Sequence, residues 1–226
     1  PEALAAIEKI AREKSAPLFQ VAQASHPRAA VLAALPLPGE HQRQNAALAL
    51  ATIDALQNQI PVSAAPIETG LATVNWPGRL QFITRPDGQK MLLDGAHNPA
   101  GALALRAALA GLDFGAPTFI LGFLGDKDWR PMCDLLAPLA ARIFTVPVAS
   151  ERTADARSLA EFCHAANLPA QITVCDSLSS ALQQSAQDPL VVLTGSLYLV
   201  GEALELLGCS PAGTGERGLN EWSACR

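Results

Sequence analysis

The chain has 226 residues, half of them hydrophobic and 16% charged, and its 16 basic and 21 acidic residues give a formal net charge of −5. That length holds one large domain or two small ones with a sizeable core, and the acidic balance excludes a basic surface built for nucleic acid. No apolar run approaches the roughly 20 residues that cross a bilayer.

The first segment, PEALAAIEKIAREKSAPL, lacks the continuous apolar stretch of a signal peptide. Its spacing predicts a helix over 2–14 with Leu4, Ile7 and Ile10 on one face. The opening on Pro1 rather than Met fits a piece of a longer chain. APLFQVA (16–22) reads as a short strand, and the Pro- and Ala-rich stretch 25–39 as a crossing of the surface. A helix with an unusually polar first turn is expected over 40–59, after which Pro61 and Pro66 bracket a break. A domain boundary is placed near residue 75, giving units 1–75 and 76–208.

Beyond the boundary the pattern alternates. Strands are expected at 80–84, 90–94, 117–122, 142–146, 171–174 and 190–194, and helices at 99–111, 129–140, 155–166, 177–186 and 198–207. Short apolar strands separated by helices imply βαβ units, hence an α/β fold with a largely parallel sheet covered on both faces. Residues 209–226 lose all periodicity and read as an irregular tail. The five cysteines, Cys133, Cys163, Cys175, Cys209 and Cys225, include no C-x-x-C pair. They indicate neither a zinc site nor a disulfide framework, and reduced thiols in a cytoplasmic protein are the simplest expectation.

Polar residues interrupt the pattern at strand ends. MLLDGAHNPAG carries Asp94 and His97 off an apolar strand and straight into a helix, where exposed backbone N–H groups favour an anion. In open parallel sheets, ligands bind beyond the carboxyl ends of the strands. A carboxylate there can accept from a ligand hydroxyl, and His97 can donate to a phosphate or carboxylate. The same residues also suit a plain turn with a helix cap. FILGFLGDKDW ends its strand in Asp126, Lys127 and Asp128, and LVVLTGSLYLVGE ends in Thr194-Gly195-Ser196. Taken singly, Lys127 reads as a surface charge and Ser196 as a cap, but together these loops describe a polar rim on one sheet edge. Arg79, in Trp76-Pro77-Gly78-Arg79 at the boundary, carries a guanidinium able to clamp a phosphate with paired donors. The sequence contains no G-x-x-x-x-G-K-[ST], G-x-G-x-x-G or G-x-S-x-G string.

WPGRLQ, LLDGAHNPAG, GDKDW and TGSLYLVGE, in this order and spacing, closely resemble the C-terminal part of folylpolyglutamate synthases, including bacterial enzymes that double as dihydrofolate synthases. The upstream GEHQRQNAALAL resembles the last helix of that family's central ATPase domain, so the likeness covers residues 1–207. It implies a Rossmann-like C-terminal domain preceded by the end of a P-loop-type ATPase domain, in a relative of the Mur peptidoglycan ligases. The implied reaction is ATP-dependent amide formation: a pteroate or folyl carboxylate is phosphorylated to an acyl phosphate, and the amine of L-glutamate displaces phosphate. By motif, Asn45, Arg79 and Asp94 match positions that contact ATP, and His97 and Ser196 match positions implicated in glutamate use. Lys127 is a further candidate, with His97, for the reacting end. The P-loop, the Mg²⁺ ligands and most of the pterin pocket belong to a region that this sequence lacks, so no metal ligand is assigned to these residues and the chain alone is expected to be inactive. Small-molecule substrates (glutamate with dihydropteroate or folates), no nucleic-acid or membrane partner, and a monomer complete the expectation. Two alternatives stay open, a Mur-type ligase acting on UDP-sugar peptides and a non-catalytic glutamate- or nucleotide-binding module.

Overall fold

The computed structural model describes residues 2–21, 32–112 and 114–209. Apart from Cys209, the expected tail lies outside them, as does the part of the expected surface crossing before Leu32. The chain divides into two compact units, Pro1–Asn75 and Trp76–Arg226.

In the first unit, α1 (Glu2–Glu13), α2 (Glu40–Leu56) and α3 (Ala64–Thr73) are helical. Leu32, Ala46, Ala47, Leu50 and Ile67 form its small core. Three expectations fail here. Residues 16–21 carry no regular structure: Val21 alone leans on the small core, Phe19 is 66% exposed, and among the described residues no strand pairs with the run to hold it extended. The break after Pro61 gives way to α3. Gln57 brackets the turn by bonding both the N–H and the carbonyl of Val62, and Ser63 precedes the helix in extended conformation. Pro66 falls in the first helical turn, where its missing N–H would have had no intrahelical partner anyway. Leu4, Ile7 and Ile10 share a helix face as expected, yet each is at least 42% exposed. Leu32, expected in a surface segment, is buried.

The second unit is a six-stranded sheet, β1 (Gln81–Thr84), β2 (Lys90–Asp94), β3 (Thr118–Leu121), β4 (Arg142–Thr145), β5 (Gln171–Val174) and β6 (Leu190–Thr194), in the order β1-β2-β6-β3-β4-β5. Only β1 runs antiparallel, joined to β2 by a tight turn in which Gly88 takes a φ of 86°. The remaining pairs are parallel, so their connections need crossover helices. These are α4 (Pro99–Leu109), α5 (Trp129–Leu136, extended by a 3₁₀ turn to Leu139), α6 (Ala156–Ala166) and α7 (Leu178–Gln184), with α8 (Leu197–Leu206) following β6.

Strand alternation sorts the core into two layers. Leu92, Phe119, Leu121, Ile143, Leu190 and Val192 pack on α4, α5 and α6. Met91, Leu93, Ile120, Phe144, Val191 and Leu193 pack on α7 and α8. Central strands buried on both faces explain why they read as continuous apolar runs. Cys133, Cys163 and Cys175 are buried free thiols and Cys209 is exposed. The contact with Cys163, with burial behind it, pushes the Cys133 thiol far up, so it stays protonated. Among the described residues no helix is long and apolar enough to cross a membrane.

Candidate functional site

The inserted strand β6 decides where the site forms. Asp94 at the end of β2 and Leu121 at the end of β3 both stand in register with Thr194 at the end of β6. The loops that follow, 95–98, 122–128 and 195–196, therefore emerge side by side at the carboxyl edge of the parallel strands, where open α/β sheets bind ligands.

Asp94 is 5% exposed and organises the first loop. One carboxylate oxygen accepts the Ala96 N–H at 2.9 Å, and the other accepts the Leu80 N–H at 2.9 Å. The next residue, Gly95, donates to the Gly78 carbonyl at 2.8 Å. These bonds stitch the WPGRL turn to the end of β2. Leu80 sits there at a φ of 45°, a left-handed conformation that costs a non-glycine residue roughly 1–2 kcal/mol. Its burial and its bond to Asp94 hold it in place. The turn delivers Arg79: its Nη1 lies 3.5 Å from the point a Cβ on Gly95 would occupy, and that same Cβ would collide with Leu197 at the start of α8. Glycine at 95 thus lets a guanidinium, a strand end and a helix start converge.

His97 is half-buried and bonds the Gly95 carbonyl through Nδ1 at 2.8 Å, which orients the ring and turns Nε2 away from that bond. Asn98 caps α4 by accepting the Gly101 N–H at 2.8 Å, and Pro99 begins the helix with pre-set φ. Ser196 is 2% exposed, and its hydroxyl accepts the Tyr198 N–H at 3.2 Å to cap α8. Gly195, at φ 116°, packs so closely that a Cβ would strike the Gly122 carbonyl and the Phe123 ring. Lys127 is exposed on the loop after β3, where its N–H closes a turn on the Leu124 carbonyl at 3.1 Å. The neighbouring Asp126 pairs with Arg152 at 3.1 Å, both about half exposed, so the pair contributes little.

Arg79, Asp94, His97 and Ser196 thus gather at one edge, with Lys127 on an adjoining loop. Asn45 belongs to the Pro1–Asn75 unit: it lies exposed on α2, bonded to Gln42 at 3.1 Å. The edge offers a guanidinium and two helix N-termini, a donor set that suits the phosphates of a nucleotide, beside an oriented imidazole. Among the described residues no three His, Cys, Asp or Glu side chains cluster as a metal ligand set. Sequence reasoning placed Thr194 on the polar rim but missed Leu80, because a leucine in left-handed conformation leaves no signature in sequence.

Residues 78–197, which span this whole edge from Gly78 to the first residue of α8, match the model of the Mur ligase glutamate ligase domain. The chain belongs to that family of ligases. It is similar to the folylpolyglutamate synthase of Lacticaseibacillus casei, with 35% identity over 178 residues that cover 76% of this chain and 40% of that one. It is also similar to the dihydrofolate synthase/folylpolyglutamate synthase of Mycobacterium tuberculosis, 34% identical over 78% of this chain and 40% of the relative. Among solved structures, M. tuberculosis folylpolyglutamate synthase complexed with ADP and AMPPCP superposes with a TM-score of 0.68 at 33% identity, covering 79% of this chain and 42% of that one. The Thermotoga maritima folylpolyglutamate synthase gives 0.62 at 31% identity, covering 77% and 40%. The chain spans about two fifths of the length of these relatives.

Proposed function

We propose that this chain is the distal part of a cytoplasmic, ATP-dependent ligase that adds L-glutamate to dihydropteroate or to folates, and that residues 76–208 form its ligase domain. The observation carrying this reading is the carboxyl-edge cluster of Arg79, Asp94, His97 and Ser196, lying within the span that matches the glutamate ligase domain. ATP activates the acceptor carboxylate as an acyl phosphate, and the glutamate amine displaces phosphate. In this scheme Arg79, set beside Gly95, offsets charge on the nucleotide phosphates. Asp94 contacts the nucleotide, and Asn45 keeps its ATP-contact assignment by motif alone. His97, its ring fixed by the Gly95 carbonyl, and Ser196 hold the incoming glutamate, with Lys127 near the reacting end. The P-loop and the Mg²⁺ ligands lie outside the 226 residues, so the chain by itself is inactive and acts with them as one monomer. Titratable groups beside a water-sensitive acyl phosphate also call for exclusion of solvent during turnover.

The test is ATP-dependent incorporation of labelled glutamate into dihydropteroate and into tetrahydrofolate by the protein expressed from its full reading frame. His97→Ala and Arg79→Ala are each expected to lose at least a hundredfold in activity while keeping the wild-type melting temperature, since preorganised charge of this kind contributes about two orders of magnitude or more. A folded wild type that transfers glutamate to neither pterin overturns the folate assignment and makes UDP-sugar peptides the next acceptors to assay.

A further inference from the structure

Three polar side-chain atoms among the described residues are buried without a hydrogen-bond partner: Arg142 Nε, Glu202 Oε2 and Thr194 Oγ1. The first two belong to groups engaged through other atoms. Arg142 holds Asp188 through Nη1, and Glu202 accepts the Ala149 N–H. Thr194 has a single polar side-chain atom, is 0% exposed, and stands at the carboxyl end of the central strand β6. A buried hydroxyl left unmet disfavours the fold, so native proteins retain few of them.

Its position shows what could satisfy it. Strand alternation places Thr194, like Leu190 and Val192, on the face covered by α4, α5 and α6, and puts Asp94 on that face beside Leu92. The in-register neighbours of Thr194 are Asp94 and Leu121. Leu121 offers no acceptor. Asp94 offers a carboxylate across the roughly 4.8 Å between strands, within reach of a χ1 rotation. A carboxylate has about four lone-pair sites, so it can take a hydroxyl while it keeps the Leu80 and Ala96 N–H groups. Thr145, farther along the same row, gives its hydroxyl to the Ala156 carbonyl at 2.8 Å. Nothing about this edge therefore forbids a threonine from being satisfied.

We propose that Thr194 is a positioning residue for Asp94: when ATP binds at the rim, its hydroxyl turns to donate to the Asp94 carboxylate and holds that carboxylate on the nucleotide. The inference rests on the reading of Asp94 as a nucleotide contact. A hydrogen bond to a charged acceptor is among the stronger kinds, so what the orphaned hydroxyl costs the fold returns as affinity in the complex.

The test uses the protein from its full reading frame with Thr194→Val and Thr194→Ser, measuring melting temperature without nucleotide and ATP binding by calorimetry. Thr194→Val keeps the shape and removes the hydroxyl. It is expected to melt roughly 2–4 °C higher and to bind ATP about tenfold more weakly, while Thr194→Ser binds within about twofold of wild type. A purely structural role would not separate the valine from the serine variant in affinity. Unchanged ATP affinity in Thr194→Val overturns the proposal, and so does a lower melting temperature, which would mean the hydroxyl already has a structural partner. A wild type that fails to bind ATP would sink the nucleotide reading of Asp94 and this inference together, an outcome distinct from a binding wild type matched by the valine variant.

Discussion

A carboxylate that accepts two backbone N–H groups does two jobs at the end of β2. Asp94 pins Leu80 in a conformation leucine avoids, and in doing so sets Arg79 beside Gly95. The bland reading of the DGAHNP string as a capped turn and the sharper reading as a site describe the same atoms: Asn98 is a cap, and His97 is oriented by the turn it sits in. Glu202 on α8 shows the opposite electrostatics. Burial first, and then the nearby Glu205, push its carboxyl above the ordinary value, with the Ala149 N–H opposing them. The folded protein therefore binds this proton more tightly than the unfolded chain. Its contribution is most favourable below the unfolded-state pKa and is lost as pH rises through the raised folded value. Glu202→Gln is expected to raise the melting temperature at pH 7 and to leave it near wild type at pH 4, as a melting series across that range would show. Such effects are illegible in sequence, because a glutamate on a helix reads the same whether its carboxylate faces water or backbone.

At the scale of elements, legibility followed the strength of the pattern. All six strands and five helices of the second unit were readable, because the central strands are apolar on both faces and each crossover is bounded by polar turns. The expected extent of the α5 helix was too long only because its final turn tightens to 3₁₀ at Pro138. The first unit resisted reading. Residues 16–21 have strand composition but pair with no strand among the described residues, and α3 begins two residues before a proline that sequence reasoning takes as a breaker. Local signals decide helix ends, whereas pairing partners decide strands. The cap on α4 belongs to this scale. Asn98→Ala leaves the Gly101 N–H without its partner and is expected to cost about 1 kcal/mol, read as a shift in the denaturant midpoint with an unchanged slope.

Across the whole second unit, an ion-pair network and the candidate site occupy opposite edges of the sheet. At the amino edge, Asp188 accepts two bonds from Arg142, at 2.7 and 2.9 Å, and one from Thr118 at 2.9 Å. Gln89 ties the β1–β2 turn to the Ser185 and Asp188 carbonyls. Asp188→Ala is expected to lose about 2 kcal/mol of stability, as hydrogen bonds to charged groups are worth, with unchanged ATP affinity in binding assays, since the candidate site lies at the other edge. The strand order that creates that site also orders assembly in time. β2 finds its parallel neighbour only when β6 arrives, about a hundred residues later in the chain. At the usual pace of synthesis, that is a wait of roughly 5–20 s during which Met91, Leu92 and Leu93 have no permanent place. The strand that closes the gap ends in the threonine that completes the rim, so a chain whose last strand has not emerged has neither a finished sheet nor the candidate site.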